Sequence, residues 1–165
     1  MENSNKSVAS LHKSIIWGSI IIIIFGLFAV YSYVQRPKNQ AQKEAYALAK
    51  KYARVDQPET FYWFNRDKTY FTVAGKNRAG QKVYVIISKN GAKINIYAQN
   101  KGYNQTEVTK LVKQSRHPKK ITNVTLGMYK GKPTWEVTYR NQSNKLCYDL
   151  IAFKTGDVLK TIQNI

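Results

Sequence analysis

The stretch Trp135–Ile162, WEVTYRNQSNKLCYDLIAFKTGDVLKTI, contains three runs of strand character separated by turn residues. Trp135, Val137 and Tyr139 alternate with Thr134, Glu136 and Thr138, the period-two pattern of a strand with one apolar and one polar face. Asn141–Asn144 (NQSN) reads as a four-residue hairpin loop, KLCYDLIAFK as the return strand, Lys154–Gly156 as a turn and DVLKTI as a further strand. ITNVTLGMYKG precedes them as another strand. Ahead of that, Asn104 followed by Glu107 forms a capping-box signature, Val108, Leu111 and Val112 recur at helical spacing, and Pro118 ends the helix. The region is expected to be one helix followed by an antiparallel meander.

The same pattern occurs earlier. Sliding the chain on itself by about 65 residues puts Tyr70 on Trp135, Ile86 on Ile151, Lys89 on Lys154 and Gly91 on Gly156. In AQKEAYALAKKYARV, Ala41, Ala45, Leu48, Tyr52 and Val55 step by threes and fours, with Lys43, Lys50, Lys51 and Arg54 opposite, which predicts an amphipathic helix ending by Pro58. TFYWFNR, KTYFTVAG, QKVYVIIS and AKINIYA follow as strands. The expected fold class is α+β, with residues 41–100 and 101–165 each a helix laid on an antiparallel sheet. In the first of these units, Phe71 and Val73 share one strand face and Tyr70 and Thr72 the other, while Tyr84 and Ile86 alternate with Val83, Val85 and Ile87. Both faces are apolar, so one must be covered by something other than the unit's own helix: the second unit, or a partner.

Residues 15–34 carry no charge, and about 20 such residues span the hydrocarbon layer of a bilayer. Trp17 stands near one end, Tyr31 and Tyr33 near the other, at interfacial depths. A cleavable signal has a shorter apolar run and small residues at its end, whereas FAVYSYVQR is bulky, so the segment reads as an uncleaved transmembrane helix. Residues 1–14 are then a short cytoplasmic tail, 35–40 a polar linker holding Pro37, and the C-terminal portion is extracytoplasmic: a single-pass protein of the cell membrane. The chain has 27 Lys and Arg against nine Asp and Glu, a formal net charge of +18, and most of that excess lies beyond the span. Outside the cell the polyanions are anionic lipid and wall polymer, not nucleic acid.

A family resemblance rests on the residues quoted first. Trp135, Val137, Tyr148, Gly156, Val158 and Leu159 resemble the strand–strand–turn signature of PepSY-type modules. The whole layout of tail, span and two such units is similar to the cell wall elongation regulator family (TseB/YpmB-like) of Gram-positive bacteria. That resemblance implies tandem PepSY-like (cystatin-like) units, no enzymatic activity, no cofactor, and a role in peptidoglycan elongation through a penicillin-binding protein or other wall-synthesis membrane protein. PepSY units also occur in protease propeptides, so a peptidase-inhibitory module is an alternative.

The residues themselves offer little chemistry. No spacing of His, Cys, Asp or Glu matches a metal site, and no glycine loop matches a phosphate cradle. His117 stands at a helix end, and the single Cys147 lies in a predicted strand. With a four-residue NQSN loop, Arg140 would face Lys145, Val137 would face Tyr148, and Glu136 would face Asp149. Opposed carboxylates are either an acid/base pair acting on wall glycan or a pair neutralised by cations from the neighbouring unit. For partner binding, the candidate surface is the apolar set Phe71, Val73, Tyr84 and Ile86.

Overall fold

The computed structural model describes residues 2–163; the side chains of residues 2–16, 18, 19, 32, 34 and 35 lie outside that description. The chain divides into two units after Gln40. Helix α1 runs Glu2–Ala53 with Pro37 inside it, so the stretch read as a linker is itself helical. In the N-terminal unit the segment from Ile20 onward is long and apolar enough to cross a membrane by length and composition. Ile21–Phe25 are exposed, with Phe25 at 74%, which is not how a core helix of a soluble domain is placed.

The second unit contains two four-stranded antiparallel sheets. The first is β1 (Val55–Asn65), β2 (Thr69–Asn77), β3 (Lys82–Ser88) and β4 (Ile94–Ala98), paired in chain order. A 3-10 turn at Gln99–Lys101 leads to α2 (Gln105–Arg116). The second sheet is β5 (Lys120–Tyr129), β6 (Lys132–Arg140), β7 (Leu146–Ala152) and β8 (Val158–Ile162), again in chain order. Helix α1 ends not at Pro58 but at Ala53, and the next residue, Arg54, with a φ of 53°, turns the chain out of the helix. Pro58 falls in β1, a sheet edge, where pairing with β2 is irregular and a missing N–H costs little. The capping box of α2 forms as expected: Asn104 accepts from the Thr106 and Glu107 amides, and Glu107 accepts from the Asn104 amide at 2.8 Å.

The last turns of α1 place Ala41, Ala45 and Ala49 on Phe71, Val73, Val83, Val85 and Ile87 of the first sheet. Their small side chains let the helix sit close to the strands. Tyr52, expected on that stripe, is exposed in the final turn, with the Lys51 ammonium 5.2 Å from its ring. The opposite face of the first sheet receives the edge of the second. Strand β5 lies against β1, β2 and β3. The buried Thr72 hydroxyl donates to the Leu126 carbonyl at 2.6 Å. On one side of β5, Tyr62 and Tyr84 stand edge-on to Trp135, with ring centroids at 5.5 and 5.7 Å, in a core that includes Val108 and Val112 of α2. On the other side, Phe64 and Tyr70 pack with Tyr129 and Leu150. Gly127 lies between, where a Cβ would collide with the Phe64 side chain.

The β6–β7 hairpin differs from the expected pairing by one residue. The Asn141 amide donates to the Lys145 carbonyl at 3.0 Å, the Asn144 amide donates to Asn141 at 2.9 Å, and Asn144 takes a left-handed φ of 62°. The loop therefore has three residues, Gln142–Asn144, and ends in a residue suited to positive φ. Val137 then faces Asp149, and Glu136 faces Leu150.

Gly127→Ala is expected to destabilise the protein by about 1–3 kcal/mol, the usual cost of overpacking, because Phe64 is held on both flanks. Combining it with Phe64→Leu should recover part of the loss. Urea midpoints of the single and double variants check this, and an additive double would show that the two sites do not meet.

Candidate functional site

A one-residue shift in register moves every side chain of a strand to the other face. Glu136 and Asp149 therefore lie on opposite sides of the second sheet and form no acid/base pair. Each has its own cation. Arg66, in the turn between β1 and β2, binds Glu136 and stacks over Tyr148 with its guanidinium 4.3 Å from the ring centroid. Arg116, in the last turn of α2, donates to Asp149 at 2.8 Å and to the Thr161 hydroxyl at 3.0 Å, and that hydroxyl donates to the second Asp149 oxygen at 2.7 Å. The bond to Asp149 raises the Arg116 pKa further. The neutralising cation for Glu136 comes from the neighbouring sheet, as the sequence suggested; the one for Asp149 comes from α2.

Both arginines had a periodic signal. Tyr62, Phe64 and Arg66 continue a step of two along the buried face of β1. Val108, Val112 and Arg116 continue a step of four along the buried stripe of α2. Reading the pattern one position further finds each arginine.

The proposed contact set does not form a surface. Phe71, Val73, Tyr84 and Ile86 are all buried, and they occupy both faces of the first sheet. Phe71 and Val73 pair with Ile87 and Val85 under α1, whereas Tyr84 and Ile86 pair with Ala74 and Thr72 against the second sheet. The second apolar face is covered from within the chain. Cys147 is buried in the shared core. His117 caps α2 with its amide 3.2 Å from the Lys113 carbonyl. No cluster of three potential metal ligands occurs among the described residues. Among the described residues, the exposed large apolar side chains of the sheet-bearing unit are Tyr52, Ile96, Val158 and Leu159. The last three lie on β4 and β8, the outer strands of the two sheets.

Three comparisons bear on this architecture. Residues 44–88 match the family model described as the cell wall elongation regulator TseB-like domain. The chain is 29% identical over 154 residues to the probable cell wall elongation regulator TseB of Bacillus subtilis (strain 168), covering 90% of this chain and 94% of that protein. The solved structure of the YpmB protein from Bacillus subtilis superposes with a TM-score of 0.65 at 26% identity, covering 73% of this chain and 95% of that one. The chain is similar to both of these proteins over most of its length. The segment that matches the family model runs from the last turns of α1 through β3, which includes Ala45 and Ala49 of the helix and both faces of β2.

Two expectations follow for this fold. Asp149→Asn should lower stability by about 1–3 kcal/mol, less than a fully buried pair, because the Arg116 side chain is 31% exposed and water replaces part of the interaction. Glu136→Gln should cost less, since Arg66 keeps its ring contact with Tyr148. Urea unfolding of the two variants gives the order directly.

The second concerns alkaline pH. Burial pushes the Tyr62 hydroxyl up to about 12, and burial raises Tyr84 as well. Above pH 10 the unfolded chain loses these protons while the folded one keeps them, so stability is complete below pH 10 and falls as pH rises toward 12. Tyr62→Phe should flatten the fall in the urea midpoint between pH 10 and 12, and an unchanged slope would exclude Tyr62 as a contributor.

Proposed function

We propose that this protein is a single-pass membrane protein with its N-terminus in the cytoplasm. Its sheet-bearing unit is extracytoplasmic and regulates peptidoglycan elongation, without catalysis, by binding a penicillin-binding protein or another membrane protein of wall synthesis. On this reading the two halves of the unit, each a helix leading into a four-stranded meander, are tandem PepSY-like modules. The observation that carries the proposal is an exposed apolar helix continuous in sequence with a unit whose two sheets bury each other's faces. The anchor supplies location, and the closed body leaves its outer surface for recognition. Confinement to the same membrane raises effective concentration, so a weak contact suffices. The family name of the TseB relative supports a regulatory role. The separation of Glu136 from Asp149 by the sheet removes the carboxylate pair on which a glycan-cleaving reading depended.

A photoreactive residue at Ile96 or Val158 is expected to capture, in living cells, a protein that carries a fluorescent β-lactam label, whereas the same residue at the buried Ile86 captures none. Protease added to intact protoplasts should digest the sheet-bearing unit. Protection of that unit would reverse the topology, and capture without any β-lactam-labelled band at either exposed position would reject the partner class.

A further inference from the structure

Four of the eight acids of the sheet-bearing unit have assigned partners in ion pairs or a helix cap. Arg66, Arg78 and Arg116 take Glu136, Asp56 and Asp149, and Glu107 closes the cap of α2. Lysines are a different matter, and three of them converge. A groove of about 600 Å³ runs between α2 and the start of β5, lined by Lys113, Lys119 and Lys120. No carboxylate lines it, and none of the three lysines is within ion-pair distance of one among the described residues. Gln105 and Asn123 also face the groove. The Gln105 carbonyl oxygen accepts the Tyr62 hydroxyl at 2.8 Å, which leaves its amide N–H groups as donors. The wall hydroxyls of Thr109 and Thr122 spend their protons on the Gln105 and Thr138 carbonyls. The groove thus offers positive charge and N–H donors in a concave place, where the field is stronger than over an open surface.

The donors indicate the ligand. The groove contains no arginine, so it offers compact ammonium point charges, which suit single charges spaced along a chain better than one group gripped by a planar fork. An acidic peptide added as a strand would need a regular edge on β5. Its pairing with β6 is irregular between Ile121 and Asn123, and Lys119 and Lys120 stand at its start, both of which blunt strand addition. We propose that this groove binds a linear polymer of phosphodiester-linked repeats, whose evenly spaced charges meet Lys113, Lys119 and Lys120 in turn.

The test uses the full chain in phosphatidylcholine nanodiscs and a fluorescent glycerol-phosphate oligomer, followed by anisotropy. Lys113→Gln with Lys119→Gln and Lys120→Gln should weaken binding by about tenfold or more at low salt and lower the slope of log affinity against log salt by about 2. Lys50→Gln with Lys89→Gln and Lys93→Gln removes the same charge from exposed positions of the first half and should change affinity less than about threefold. The charge-preserving Lys→Arg triple at the groove should retain binding, and unchanged thermal unfolding of each variant shows that the fold is kept. Equal losses in the two Gln triples would mean diffuse attraction and overturn the site. Equally tight binding of poly-glutamate with the same lysine dependence would assign the groove to an acidic peptide instead. Loss of affinity for phosphatidylglycerol nanodiscs, with oligomer binding intact, would assign it to lipid headgroups. The probe contains no protein, so these outcomes are independent of partner capture.

Discussion

The structure depends on where the outer strand of the second sheet is placed. A sheet edge leaves unpaired backbone groups, and a buried edge must satisfy them. The second half of β5 is buried by lying across the first sheet, and the Leu126 carbonyl finds its partner in the Thr72 hydroxyl, a bond whose net worth is about 1 kcal/mol but whose absence would cost more. Thr72 is a polar residue in the buried middle of β2, between Phe71 and Val73, which is explained once the edge it serves is known. Placing a strand edge against a face also divides the core. Trp135 with Tyr62 and Tyr84 fills one side of β5, and Phe64 with Leu150 fills the other. Each edge-on aromatic pair adds about 0.5–1.5 kcal/mol beyond the area it buries.

That straddling arrangement explains the charges. The turn between β1 and β2 is carried past β5 to the far face of the second sheet, and this is how Arg66 reaches Glu136. Helix α2 covers the near face, and its last turn brings Arg116 to Asp149. Two carboxylates on one strand pair would repel if they shared a face. The three-residue loop ending at Asn144 sets the register that separates them, so a turn residue with positive φ determines the electrostatics of a sheet some distance away.

Much of this was legible in the sequence, where local rules and tertiary demands agree. Alternation along Trp135–Tyr139, the Asn104–Glu107 cap and the glycines at positions 91 and 156 specified strands, helix start and turns, because each states a backbone requirement in its own residues. What failed depended on a choice between near-equal alternatives. NQSN can close a four-residue or a three-residue loop, and only the left-handed Asn144 separates the two. Two apolar faces on β2 and β3 showed that something covers the second face, but not that the cover is the edge of β5. Phe71 and Ile86 read as a common surface because both are apolar, yet they belong to opposite faces of one sheet, fixed by a register that spacing alone does not reveal.

The division of labour between arginine and lysine follows from the same geometry. Arginine is used where a cation must satisfy a carboxylate at partial burial, at Arg66, which also covers Tyr148, and at Arg116 beside Thr161, since its planar fork loses less freedom per bond formed. These pairs absorb much of a short supply of acids. What is left is a population of lysines that the fold does not require for its own stability and that repel one another wherever they crowd. A crowded set such as Lys113, Lys119 and Lys120 adds nothing to folding and costs a little of it. The charge of this chain is therefore divided in use: Arg66 ties the first sheet to the second and Arg116 ties α2 to β7, while lysines such as Lys113, Lys119 and Lys120 are left facing outward.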